Sequence, residues 1–259
     1  MKLFKRNPRI AAGLLLAFLL FHASSAFAEE VRVAVASNFL LPLKELAREF
    51  EKSTRDKVII ISGSTGKLFA QIKQGAPFDV FLAADSARPE ILEKENLGVR
   101  GSRFTYAVGR LALWSVGYKK SALKNLQVLK GQSFRYLAIA NPKTAPYGKA
   151  TEQVLRKEGF WGQLQTKLVR GENISQTLQF VFSRNADLGF VSLSQLKGNQ
   201  VKLKGNFWVI PEDWHDPIRQ QAILLKRAQN NKAALEFLHF LENKRAQKII
   251  ESYGYSLKH

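Results

Sequence analysis

At four places in this 259-residue chain, small or hydroxylated residues stand where a short apolar run gives way to a helical pattern: Ser37-Asn38, Ser64-Thr65, Pro146-Tyr147-Gly148 and Asn173-Ile174-Ser175. The chemistry such residues offer is anion binding. In the first turn of a helix the backbone N–H groups lack intrahelical partners, and the aligned peptide dipoles place about half a positive charge there. Ser, Thr and Asn are also good N-caps, so any one junction alone reads as a cap. The four together, with no lysine or carboxylate among the named residues, point to a shared ligand. Neutral donors spread an anion's charge over many N–H and O–H groups, so release requires no single strong ion pair to be broken.

Other chemistry finds little support. The stretch SGSTGKLFAQ has the look of a phosphate loop, but only Ser64 and Thr65 separate Gly63 from Gly66, and Leu68 follows Lys67 where a hydroxyl is required. The four histidines, His22, His215, His239 and His259, are not spaced as metal ligands. Neither H-E-x-x-H nor G-x-S-x-G occurs. Glu45 and Glu49 lie four apart on a helix and read as a solvated face. Asp85, in FLAADS, reads as an acceptor in a turn. Tyr147, between proline and glycine in a loop, fits either a ligand contact or packing.

The elements that must position the junctions follow from alternation. VRVAVAS precedes LPLKELAREFEKS, KVIIISG precedes GKLFAQIKQG, and YLAIANP precedes KATEQVLRKEGFW, which is the order of a largely parallel α/β sheet. In such sheets ligands sit at the carboxyl ends of the strands, where the four junctions would gather. The spacing predicts a first helix burying Leu43, Leu46, Ala47 and Phe50, with Pro42 in its opening turn. A second turns Leu68, Phe69 and Ile72 inward and stops at Gly75. A third, capped by Asn173 at capping-box spacing from Gln176, buries Ile174, Leu178, Val181 and Phe182. TYAVGRLALWSV (105–116) and PIRQQAILLK (217–226) are longer extended runs. Read as strands passing between two lobes, they make residues 29–108 and 217–259 a discontinuous lobe one and residues 109–216 lobe two.

Composition bounds the setting. The chain is 46% hydrophobic, enough for a substantial core. Lys2, Lys5, Arg6 and Arg9 precede an apolar run from Ile10 to Phe21 and then Ala26-Phe27-Ala28. That is the order of a secretory signal peptide cleaved after Ala28, shorter than the ~20 residues of a membrane span. There is no cysteine for lipidation or disulfides, so a bacterial periplasm is expected. The formal charge is +19, and +15 without the four bases of the signal segment. A field of this sign attracts anions. The bases are scattered, with no basic aromatic block or zinc spacing, which argues against nucleic acid.

At these residues the chain resembles a known family. VAVASNFLLPLKELAREFEKSTRDKV, SGSTGKLFAQIKQGAPFDVFLAAD, GSRFTYAVGRLALWS, IANPKTAPYGKATEQVL, GENISQTLQFV, ADLGFVSLSQL and AQKIIESYGYSL are similar, in this order, to the periplasmic molybdate-binding proteins of ATP-binding-cassette importers. GAPFDVFLAAD is the most specific of these. The resemblance implies a two-lobed type II periplasmic-binding-protein fold of the α/β class, each lobe a mostly parallel sheet flanked by helices, with two hinge crossovers. It further implies a monomer with no cofactor or metal-ion ligands, closing on molybdate or tungstate and delivering it to a membrane permease. Carried over by motif, Ser37 and Asn38 of ASNF and Thr65 of GSTGK donate from one lobe. Tyr147 of APYG and Ile174 of ENIS donate from the other, chiefly through backbone N–H groups, with Ser64 a weaker candidate. Some members place a tyrosine after GIV, where GFVS here offers Ser192; this chain resembles the branch in which APYG supplies the tyrosine. Two alternatives stay open at this stage: a carrier of another oxyanion or of ferric iron on the same fold, and a secreted enzyme.

Overall fold

The computed structural model of the protein describes residues 28–131, 133–199 and 203–257; the expected signal segment, but for its last residue, lies outside them. Among the described residues ten strands form two five-stranded sheets. The first, in the order β2-β1-β3-β10-β4, joins Lys57–Gly63, Glu30–Ala36, Val80–Leu82, Ile218–Leu224 and Phe104–Gly109. The second, β7-β6-β8-β5-β9, joins Leu168–Gly171, Leu137–Ala140, Leu188–Ser192, Leu111–Ser115 and Asn206–Val209.

Each sheet has one reversed strand, and the chain's path explains it. β10 is antiparallel to both β3 and β4, and β5 is antiparallel to both β8 and β9; the remaining pairs are parallel. The other strands run toward the cleft between the sheets. A chain that crosses the cleft enters the second sheet from its carboxyl edge and must run the opposite way. Both crossings, β4 to β5 and β9 to β10, obey this rule. The expected long run 105–116 is therefore two strands in two sheets, parted at Arg110. The run 217–226 holds β10, wholly in the first sheet, so the return crossing precedes it. The sequence pattern places the passage between lobes at 108–109; what it lacks is the break that makes two separate strands of the run.

Strand alternation sends side chains to the two faces of each sheet. In the first sheet Val33, Val35, Leu82 and Leu224 meet Leu43, Leu46, Phe50 and Phe237, which come from the helices Leu40–Thr54 and Lys232–Glu242. Ala34, Phe81 and Ile223 face the other way, against Leu68, Ile72 and Leu92. In the second sheet Leu113, Ile139 and Phe190 pack with Val154 and Leu155 on one side, and Ala112, Ala138 and Val191 pack with Leu178 and Val181 on the other. Each fully buried Leu or Phe contributes about 1.5–3 kcal/mol. Phe182, expected on the buried face of its helix, is instead 50% exposed. It ends that helix and borders an interlobe groove with Leu40, Leu41 and Leu203.

Candidate anion site

Both sheets present their carboxyl edges to the cleft, which brings the four junctions together. A small cavity of about 10 Å³ is lined by Ser37, Asn38, Ser64 and Thr65 from one lobe and Tyr147, Asn173 and Ile174 from the other. Its remaining walls are Ala36, Gly63, Ala84, Ala145 and Pro146, so no charged side chain takes part. All five residues expected at the site, and the weaker candidate Ser64, lie on this one surface. Ser192 does not. It is fully buried and caps the helix Leu193–Gly198 in a complete capping box with Gln195.

Local folding leaves specific donors at the cavity. After β1 the chain turns through a 3-10 segment, Ser37–Phe39, before its first long helix. Ser64 precedes the helix Thr65–Lys73, and Tyr147 is the second residue of the helix Pro146–Lys157, where backbone N–H groups have no intrahelical partner. Pro146 opens that helix without wasting a donor. At Asn173 the cap is selective: Oδ1 accepts from the N–H groups of Ser175 and Gln176, both at 3.0 Å, and Ile174 N–H is left over. The expected capping box is shifted by one residue, because Gln176 Oε1 accepts from Glu172 N–H. Thr65 Oγ1 accepts from Ala84 N–H at 3.0 Å, which leaves its proton free to donate. Ser64 Oγ is buried and has no hydrogen-bond partner. A hydroxyl in that state costs about 1–3 kcal/mol relative to a satisfied one.

The two lobes are closed on each other around this cavity. Ser37 Oγ donates to Asn173 Oδ1 at 3.3 Å, and Ser175 Oγ donates to the Ser37 carbonyl at 3.2 Å. Gly66 N–H donates to the Thr144 carbonyl at 2.9 Å, and Lys67 pairs with Glu172 at 3.0 Å.

Behind the cavity lies a buried polar network that the junction argument did not find. Gln220 Oε1 accepts from Asn38 Nδ2 at 2.7 Å and from Tyr106 OH at 3.2 Å, while its Nε2 donates to Tyr147 OH at 3.4 Å. Asn38 Nδ2 also donates to Tyr255 OH, which donates to Ser194 Oγ. The Asn38 side-chain nitrogen is thereby engaged away from any ligand. Tyr147 packs in the core and also lines the cavity: the residue is 1% exposed and stands on the cavity wall. Burial first, then the neighbouring tyrosines Tyr255 and Tyr106, raises the Tyr147 hydroxyl well above its ordinary pKa, so it stays a neutral partner. The sequence did carry a signal for Gln220. Period two in β10 places it on the face of Ile218, Ala222 and Leu224, where a glutamine must find partners.

Close packing at this hinge requires Gly109. A Cβ there would lie 2.2 Å from Tyr147 Oη and 2.7 Å from Gln220 Nε2. Gly109→Ala is therefore expected to push the start of the Pro146–Lys157 helix off the cavity and weaken anion binding about 10-fold or more, an overpacking cost of about 1–3 kcal/mol. Calorimetric titration beside thermal melting checks this, since a purely local strain would lower the melting temperature and spare the affinity.

Asp85 and Glu49 do not line the cavity. Asp85 Oδ1 accepts from Arg88 N–H at 3.1 Å and its other oxygen pairs with the Arg88 guanidinium, the turn role expected of it. Glu49 pairs with Lys52 and Arg245. No group of carboxylates and histidines capable of holding a metal occurs among the described residues.

Comparison with known proteins gives a consistent picture. The family described as bacterial extracellular solute-binding protein matches residues 31–256. The molybdate-binding protein ModA of Azotobacter vinelandii is 48% identical over 251 residues, covering 96% of each chain. That of Rhodobacter capsulatus is 43% identical over 245 residues, covering 95% of each. The solved structure of the Azotobacter vinelandii periplasmic molybdate-binding protein superimposes with a TM-score of 0.83 at 40% identity, over 88% of this chain and all of that one.

Proposed function

Because the chain belongs to the family of bacterial extracellular solute-binding proteins, we propose that it captures molybdate, and tungstate with it, between its lobes in the periplasm and presents the closed complex to an ATP-binding-cassette permease. The observation that carries this reading is the buried, unpartnered Ser64 Oγ in a cavity otherwise lined by neutral N–H and O–H donors. A tetrahedral dianion satisfies that hydroxyl and the free N–H groups of Asn38, Thr65, Tyr147 and Ile174 at once. The Ser37 hydroxyl can exchange its long bond to Asn173 for an anion oxygen.

The protein acts by binding and hinge closure as a monomer, without covalent chemistry. An anion held by one lobe recruits the donors of the other, and it stabilises the closed state by its differential affinity for that state. Selectivity over sulfate is a matter of size: a rigid cage leaves the smaller ion's oxygens beyond hydrogen-bond reach of some donors. Tungstate matches molybdate in size and charge and binds comparably. A ferric carrier needs several anionic ligands around the metal, and this cavity offers none.

Isothermal titration of the ligand-stripped mature protein tests the reading. One-to-one binding of molybdate and tungstate, with sulfate and phosphate silent, is expected; silence from the first two overturns it. Ser37→Ala and Thr65→Ala are each expected to cost about 1–3 kcal/mol of binding, since each leaves a desolvated anion oxygen short of a donor. Unchanged affinity in both would remove these residues from the site.

A further inference from the structure

A second, larger groove of about 540 Å³ opens between the lobes beside the hinge. It shares Ala84, Ala145 and Pro146 with the wall of the anion cavity, so the two spaces adjoin. Its charged lining is mostly basic: Arg88, Lys143, Lys149 and Arg219 against Asp85 and Asp216. Asp85 is spent on Arg88, and Asp216 accepts from Gln153 Nε2 at 2.6 Å. Lys143, Lys149 and Arg219 are exposed and form no ion pair among the described residues.

We propose that this groove is an encounter site for the oxyanion, where the three unpaired cations concentrate a dianion before the lobes shut on it; the inference rests on the oxyanion reading above. The division of labour follows from charge. The cavity holds no cation, which suits release but gives a dianion little long-range attraction. A low-dielectric groove lined by one sign of charge supplies that attraction and raises the on-rate. Beside the groove the lobes are tied by Gly66 N–H to the Thr144 carbonyl at 2.9 Å and by Arg88 Nη2 to the Lys143 carbonyl at 3.5 Å. Parting the lobes breaks these bonds and joins groove to cavity across their shared wall. Because Lys143, Lys149 and Arg219 do not line the cavity, they act on capture and leave the closed complex alone.

Stopped-flow tryptophan fluorescence with molybdate tests this on the mature protein. The triple variant Lys143→Gln/Lys149→Gln/Arg219→Gln is expected to lower the association rate constant about 10-fold at low ionic strength. The dissociation rate should be unchanged, and the deficit should shrink in high salt. The control is Lys119→Gln/Lys120→Gln/Lys124→Gln, which removes the same charge from exposed positions of lobe two outside the groove; it is expected to change the association rate by less than about twofold. Equal losses in both triples overturn the encounter site in favour of the overall field, and an unchanged rate in the first triple overturns it outright. The wild-type titration separates the two readings. Absence of a saturable signal with molybdate, tungstate or sulfate sinks the oxyanion function and the encounter site together, whereas normal binding with equal rates sinks the encounter site alone.

Discussion

Ser64→Ala is expected to make the ligand-free protein more stable and its complex with molybdate weaker. Ser64 Oγ is 3% exposed as a residue and has no hydrogen-bond partner, so the folded state carries an unsatisfied hydroxyl. Replacing it with a methyl group removes that penalty. A gain of about 1 kcal/mol would raise the melting temperature by about 2–4 °C in a chain of this size. When a dianion occupies the cavity the balance reverses, because the same change deletes a donor to a desolvated oxygen at about 1–3 kcal/mol, or roughly 5- to 150-fold in affinity. Calorimetric melting and titration of the same preparation measure both signs. Lower stability together with lower affinity would mean general damage to the Thr65–Lys73 helix start, and unchanged affinity would remove Ser64 from the site.

Asn38→Asp should have the larger effect on binding while barely changing volume. Asn38 Nδ2 donates to both Gln220 Oε1 and Tyr255 OH in a fully enclosed network. A carboxylate there faces the Gln220 oxygen with no proton to give, and it sets a negative charge directly behind the oxyanion cavity. Like charges in a poorly solvated site cost several kcal/mol, so affinity at neutral pH is expected to fall about 100-fold or more. The sign of the pH dependence identifies the cause. Burial and a bound dianion both raise the new carboxyl's pKa, so protonation restores a neutral donor and affinity recovers as pH falls through that raised value. Wild type, with no ionisable carboxyl or histidine at the cavity, should be flat over the same range. A loss of affinity independent of pH would show that Asn38 matters by shape alone.

How much of this was legible differs between elements and contacts. The Leu40–Thr54 helix could be read directly, because Leu43, Leu46, Ala47 and Phe50 fall at helical spacing and all are buried. The four junctions could be found because each joins an apolar run to a helix start, a local property. Sequence cannot show which hydroxyl finds a partner: Thr65 reaches Ala84 and Ser64 reaches nothing. Nor can it show that Ser192 is a buried cap, held in a capping box with Gln195. Phe182 was placed wrongly because helical period assigns a face but not how far along the helix the neighbouring sheet extends.

Sequence by itself determined the class of the protein: alternating apolar strands and amphipathic helices, with neutral donors at helix starts and a strongly basic balance over the whole chain. Those features are local or additive, so they survive without coordinates. Only the tertiary structure decided that β5 and β10, the strands that follow the two crossings, run against their sheets, that Gln220 links Asn38 to Tyr147 across 182 and 73 residues of chain, and that three scattered unpaired cations share one groove. Each of these depends on which distant segments meet. Strand and helix periodicity fixes where a side chain points within its own element, but the choice of neighbour is set by how whole sheets pack and where the chain crosses between them.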